Sequence, residues 1–414
     1  AEGALELRGD AILDYAELAP AAWQANALVD IYLGESLMSV REKYRLDQSS
    51  AADPTNDDDV LAALRHPAAR MEFAFIEDDE ALRAAIEHPD IAAWRIFLHP
   101  EQRAYTTRIY NGPFRLSGGA GTGKTVVLLH RARELHRRNP QARIVLTTFN
   151  RTLAEALKSQ LAILDSRVTI AGDIGKPGIY IAGVDAIATR VLGTFTADLG
   201  ASGDGTGAVA QVLGDRTVSL SKRTPTQAWA TALRGYGAEL SSDLRTPSFL
   251  ETEYASVVLP NLVTTREEYL KVRRTGRGVS LNRARRNAVW DVIEAYRAAA
   301  AADGTLDFEE KVAVAARALR NHAGDEGLAD HVLVDEAQDL SPSRLMLLRA
   351  LAAPGTNDLF IAEDSHQRIY GQPIVLGRYG INIVGRARRL TLNYRTTEQN
   401  LRYALGILAG TEYS

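Results

Sequence analysis

The stretch RLSGGAGTGKTVVLLHRA, residues 115–132, decides the fold. Gly118, Gly119, Ala120, Gly121, Thr122, Gly123, Lys124 and Thr125 fit the pattern G-x-x-x-x-G-K-[ST], between a short apolar strand and an amphipathic helix, which is where the pattern has mechanical meaning. Glycines let backbone N–H groups curl around phosphate oxygens, and the helix that follows turns the positive end of its dipole toward them. Lys124 is expected to reach the β- and γ-phosphates, and the Thr125 hydroxyl to ligate Mg²⁺. LSGG at 116–119 overlaps this loop and copies a motif that belongs on a separate, later helix of ABC-type ATPases, so it carries no meaning here.

Outward from the loop the texture repeats. RIVLTTF is followed by LAEALKSQLAIL, and IYIAGV by AIATRVLGTF. Short β-branched runs that alternate with helical stretches predict a parallel sheet with helices on its faces, an α/β fold. The alternation stops at 195–224, a Gly-, Ala-, Ser- and Thr-rich passage that reads as a surface loop, and the signals from about 225 to 321 are nearly all helical. It resumes at HVLVDE (331–336), DLFIAED (358–364) and RRLTLNYR (388–395). Residues 1–97 alternate helical patterns with polar breaks around the acidic loop SSAADPTNDDD and carry no recognisable chemistry.

Composition bounds the rest. With 414 residues the chain exceeds the roughly 250–300 that one hydrophobic core supports, so several domains are expected. Hydrophobic residues at 46% and charged residues at 24% are ordinary for a globular protein, and no run approaches the ~18 apolar residues of a membrane span. Cysteine is absent, which excludes thiolate metal sites, disulfides and cysteine nucleophiles in these residues. With no secretory signal visible either, the expected location is cytoplasmic. The net charge of −4 advertises no polyanionic partner, so any such contact must come from local clusters of Lys and Arg.

A phosphate loop needs a carboxylate at the end of a neighbouring strand for Mg²⁺ and a base for the attacking water. HVLVDEAQD offers both: Asp335 closes the apolar run toward the metal, and Glu336 follows as the general base. A DE pair alone ends many solvated strands, and the phosphate loop is what gives this one a partner.

Seven segments in order, HPEQ, GGAGTGKT, TTFNRTLAEAL, LDFEEKV, VDEAQD, EDSHQRIYG and LNYRTT, together resemble the superfamily 1 helicases of the UvrD/Rep type, over about residues 98–400. The resemblance implies a RecA-like P-loop NTPase sheet (98–194 and 325–385), an inserted mainly helical subdomain (195–324), an N-terminal helical region (1–97) and the start of a second RecA-like domain (386–414). It implies ATP and Mg²⁺ as cofactors and single-stranded DNA or DNA junctions as partners, with RNA still open. Gln102 is then expected to read the adenine edge, and Gln367 to couple the γ-phosphate to the bound strand. Tyr394 is expected to stack on the base while Arg395 reaches the γ-phosphate from the second domain.

In the same family the segment matching TTFNRT lines the strand, which makes Thr148, Phe149 and Asn150 candidates, with Phe149 as the base contact. The residues themselves add KVRRTGRGVSLNRARR, 271–286, where Lys271, Arg273, Arg274, Arg277, Arg283, Arg285 and Arg286 stand without an acid and two glycines promise a loop able to approach phosphates. Two departures from the family stand out. Gly371 is followed by Gln372 rather than tryptophan, and GVD occupies 183–185 where the family often has TFH.

The chain reads as a piece of a longer protein, since only the first RecA-like domain looks complete. The expectation is an ATP-dependent DNA helicase or translocase whose first half alone hydrolyses ATP poorly and does not unwind. The alternative is a nucleotide-gated switch that binds nucleic acid or, through residues 1–97, a protein.

Overall fold

The computed structural model describes residues 24, 27–28, 30–31, 36–43, 96–99, 102–196, 207–274, 277, 279–322, 327–364 and 375–390. Six strands form one sheet: β1 (Phe114–Gly118), β2 (Arg143–Thr148), β3 (Gly178–Gly183), β4 (His331–Val334), β5 (Leu359–Glu363) and β6 (Ala387–Leu390). Their order is β3-β2-β4-β5-β1-β6, and every pair is parallel. The described helices are α1 (Leu37–Lys43), α2 (Arg103–Thr107), α3 (Lys124–Arg138), α4 (Arg151–Leu164), α5 (Val184–Thr194), α6 (Ala208–Leu213), α7 (Ala228–Tyr236), α8 (Pro247–Glu253), α9 (Arg266–Lys271), α10 (Arg283–Asp303), α11 (Phe308–His322) and α12 (Pro342–Leu351).

The sheet is covered on both faces, which is why its central strands are near-continuous apolar runs. Successive residues divide between two cores, as the two-residue period of a strand requires. Leu146, Leu333 and Phe360 join the core that holds Val127, Leu128 and Leu129 of α3 and Leu157 and Leu161 of α4. Their neighbours Val145, Val332, Val334 and Ile361 join the other, with α5, α11 and α12.

That second core runs on without a break into the helices of the 208–322 region, including Trp229, Tyr254, Trp290 and Tyr296. The helices expected as an inserted module therefore share their core with the sheet. The stretch 195–224, expected as a surface loop, contains a buried helix instead. In α6, Ala208, Val209, Val212 and Leu213 make an i, i+1, i+4, i+5 stripe that the surrounding small and polar residues conceal in the sequence. Beyond it Arg216 is buried, donating to Glu310 at 2.6 Å, and the Tyr254 hydroxyl donates to the same carboxylate at 2.8 Å.

Of the N-terminal region, α1 buries Val40 against Ala27 and Ile31, and Asp30 accepts from Lys43 at 2.7 Å. Asp30 also lies 3.8 Å from Arg388 on β6. No described helix is long and apolar enough to cross a membrane.

Candidate nucleotide site and nucleic-acid face

The glycine-rich turn leaves β1 and enters α3 through backbone that only glycine adopts without strain: Gly121 has φ +76° and Gly123, the residue before the helix, φ +83°. At Gly118 a Cβ would stand 2.6 Å from Thr122 Oγ1 and 2.9 Å from the Leu390 carbonyl, so the turn closes against β6. At Gly119 the same atom would meet nothing within 4 Å. The loop is tight where it packs and open beside it.

Lys124 is buried and turned back over the loop. Its Nζ donates to the carbonyls of Gly118 at 2.6 Å and Gly119 at 2.9 Å, and stands 3.6 Å from Asp364 at the end of β5. The Thr125 hydroxyl donates to Asp335 Oδ2 at 2.9 Å, joining the first turn of α3 to the end of β4. Asp335 Oδ1 is buried without a hydrogen-bond partner. Burial, then the neighbouring Glu336 charge, push this carboxyl up to about 7, against the pull of Thr125 and Lys124. A buried carboxylate oxygen left over beside a hydroxyl is the kind of oxygen donor set that would hold Mg²⁺ at such a loop. The residues fit the ion.

Glu336 has φ +54°, uncommon for a side chain of this size, and it begins the turn that leaves β4. Its Oε2 accepts from Gln338 Nε2 at 2.7 Å, and Gln338 Oε1 accepts from the Asp364 N–H at 3.0 Å. One buried amide thus joins the expected base to the segment that leaves β5. Gln102, also buried, donates from Nε2 to the Thr122 carbonyl at 2.7 Å, and its Oε1 accepts from the His99 N–H at 3.3 Å. It is fixed to the phosphate loop itself. Gln367, Tyr394 and Arg395 lie outside the described residues.

Sequence reasoning passed over Gln338 and Asp364. Both carried a signal: Gln338 lies two residues after Glu336 in DEAQD, and Asp364 ends its apolar strand as Asp335 ends the neighbouring one.

The residues expected to line a nucleic-acid strand divide. Thr148 ends β2 fully buried, with its hydroxyl unpartnered. Phe149 is half-buried, and the Arg344 guanidinium carbon stands 5.8 Å from its ring centre. Asn150 is exposed and caps α4, accepting from the Leu153 N–H at 2.9 Å. In the basic run, Arg273 is exposed. Arg274 and Arg277, expected to face phosphates, instead turn inward onto Glu253: Arg274 Nη2 reaches Oε2 at 2.8 Å and Arg277 Nε the same atom at 2.8 Å. Glu253 is fully buried, and an isolated carboxylate there could not stay charged. Burial opposes its ionisation, and the two guanidiniums overcome this and hold it below the usual carboxylate range. Arg286 is also spent locally, donating to the carbonyls of Tyr269, Leu270 and Val272 at the end of α9.

A parallel sheet whose phosphate loop runs from strand to helix, with an acid at the end of the next strand but one, defines a P-loop NTPase of the α/β class. Within that class the family model for the UvrD/REP helicase N-terminal domain matches residues 98–372, well over half of the chain, and the chain belongs to that family. It is also similar to the ATP-dependent DNA helicase UvrD2 of Mycobacterium tuberculosis and of Mycobacterium bovis. In each case 27% of 313 residues are identical, covering 72% of this chain and 41% of the relative. The chain thus spans about two fifths of the length of these relatives.

Proposed function

We propose that this chain is the ATP-hydrolysing part of a DNA helicase or translocase that moves along single strands. The observation that carries the reading is the Thr125–Asp335 pair under an open glycine turn, with Glu336 set beside it by left-handed backbone. Membership of the helicase family and the names of the mycobacterial relatives support the motor function.

Backbone N–H groups of residues 118–123 and the start of α3 bind the phosphates. Lys124 leaves the loop carbonyls and Asp364 for the terminal phosphates, an exchange of one set of acceptors for a more strongly charged one. Thr125 and Asp335 hold Mg²⁺, which when bound neutralises charge on the phosphates. Glu336 orients water and takes its proton, while the Gln338 amide fixes the carboxylate's direction. Gln102, anchored to the loop, takes the adenine edge. Gln367 and the Tyr394–Arg395 pair complete the site as the family resemblance implies, with Arg395 supplying charge from a second domain.

The test is steady-state hydrolysis by the parent protein with and without single-stranded DNA. Turnover should rise strongly with the strand and collapse in Lys124→Ala and in Glu336→Gln, by about 10²–10⁴ in the latter as for loss of a general base. Hydrolysis that ignores nucleic acid and responds to a protein would instead establish the nucleotide-gated switch.

A further inference from the structure

β3, β2 and β4 are neighbours in the sheet, and the turns that leave their C-terminal ends converge on one cation, Arg344. Phe149 follows β2, Asp185 stands in the first turn of α5 after β3, Arg344 lies in the first turn of α12 after β4, and Glu309 comes across from α11. At Gly183 a Cβ would come within 3.0 Å of the Asn150 carbonyl carbon, so this glycine lets the first two turns close together. Arg344 Nε and Nη2 donate to Asp185 Oδ1 at 3.2 and 3.0 Å, and Nη1 bonds Glu309. The Ser341 hydroxyl donates to the other Glu309 oxygen at 2.7 Å. The guanidinium also faces the Phe149 ring.

The contrast with Glu253 is informative. There one buried acid is matched to two arginines, and its side chain is 0% exposed. Here one arginine, its side chain 10% exposed, is matched to two acids that remain 38% and 24% exposed, so the cluster carries an excess negative charge and its acidic side faces water. The cluster's place is the carboxyl edge of an open parallel sheet, where such sheets bind their ligands. A planar guanidinium accepts phosphate in the same fork geometry as carboxylate, and a cation beside an aromatic face is the pairing with which single-strand grooves hold backbone and base.

We propose that Arg344 is a single-strand contact that binds a DNA backbone phosphate next to a base stacked on Phe149, and that Asp185 and Glu309 are the counter-ions this phosphate displaces. The inference rests on the nucleic-acid reading of the chain. It adds a residue and a gating charge that the basic run does not supply. The two carboxylates lower the affinity of the empty track for polyanions, so that weak contacts are rejected.

The test is binding of a fluorescent oligothymidylate to the 414-residue chain by anisotropy, across a salt series. Asp185→Asn removes a competing anion and should tighten binding at low salt by about fivefold. Arg344→Gln should weaken binding and reduce the magnitude of the log K against log salt slope by about 0.7, the single-strand value for one lost phosphate contact. With its denaturation midpoint checked against that of the original, Asp185→Asn gives a result that stands whatever becomes of Arg344→Gln. An Asp185→Asn variant that binds no tighter than the original, or an Arg344→Gln variant with an unchanged slope, overturns the inference alone. Failure of the unaltered chain to bind the strand at all overturns the nucleic-acid reading and this inference with it.

Discussion

The phosphate loop with its DEAQD partner and the basic run 271–286 both advertise charge in the sequence, and the structure uses them in opposite ways. Around the loop, polar groups are left under tension: Asp335 keeps an oxygen without a partner, and Glu336 sits on left-handed backbone. Around the basic run, the tension is removed: Glu253 has both oxygens taken by Arg274 and Arg277, with the Tyr269 hydroxyl donating to Oε1 at 2.8 Å. Asp335, buried beside the glycine turn and incompletely satisfied, has room for a ligand, whereas Glu253, with both oxygens taken and no exposure, holds the fold. Charge density alone does not tell the two apart.

Removing the acid at the centre of the second region has the largest expected effect. Glu253→Gln leaves Arg274 and Arg277, with side chains 5% and 12% exposed, as buried cations without a counter-ion. Breaking a buried pair from one side typically destabilises by about 3–5 kcal/mol, and that loss is expected in chemical denaturation. Nucleotide binding by the remaining folded protein should be unaltered. If Glu253→Gln unfolded at the same denaturant concentration as the original and weakened DNA binding instead, the two arginines would belong to the nucleic-acid face after all.

Gln338→Ala tests the first region in the opposite sense. The amide spans Glu336 and the Asp364 backbone, so its loss frees the base from its orientation while removing two hydrogen bonds from a turn. The expected result is a fall in kcat of about tenfold, corresponding to about 1.4 kcal/mol, with little change in KM for ATP and a smaller stability change than Glu253→Gln gives. Gln338→Glu cannot donate to Glu336 and should not restore turnover. A variant with unchanged kcat would reduce Gln338 to a packing residue.

The same contrast explains how much could be read from the chain beforehand. The glycine turn was legible because consecutive residues fix its backbone, and the Thr125–Asp335 contact, 210 residues apart in the chain, because a phosphate loop calls for a carboxylate at the end of an apolar strand. The parallel sheet was legible for a related reason, since buried central strands must be apolar throughout. Distant partners that belong to no motif were not legible. Nothing in KVRRTGRG announces Glu253 on another helix, and nothing near Arg344 announces Asp185 or Glu309. Helix α6 was missed because its apolar stripe is four residues set among glycine, serine and threonine.

Asn150 stands on the boundary between the two kinds of residue, because its side chain already has a structural task. It caps α4 by accepting from the Leu153 N–H, and it remains exposed at the sheet's carboxyl edge beside Phe149. Asn150→Ala should therefore lower stability by about 1 kcal/mol, the usual value of a helix N-cap, seen as a small shift of the denaturation midpoint. Asn150→Asp separates this from strand contact, since aspartate caps as well as asparagine does but places a negative charge where a phosphate would pass. Restored stability together with weakened oligothymidylate binding would assign Asn150 both tasks. If Asn150→Asp restored stability and bound the strand as the original does, the residue would be a cap alone, and the track would begin at Phe149 and Arg344.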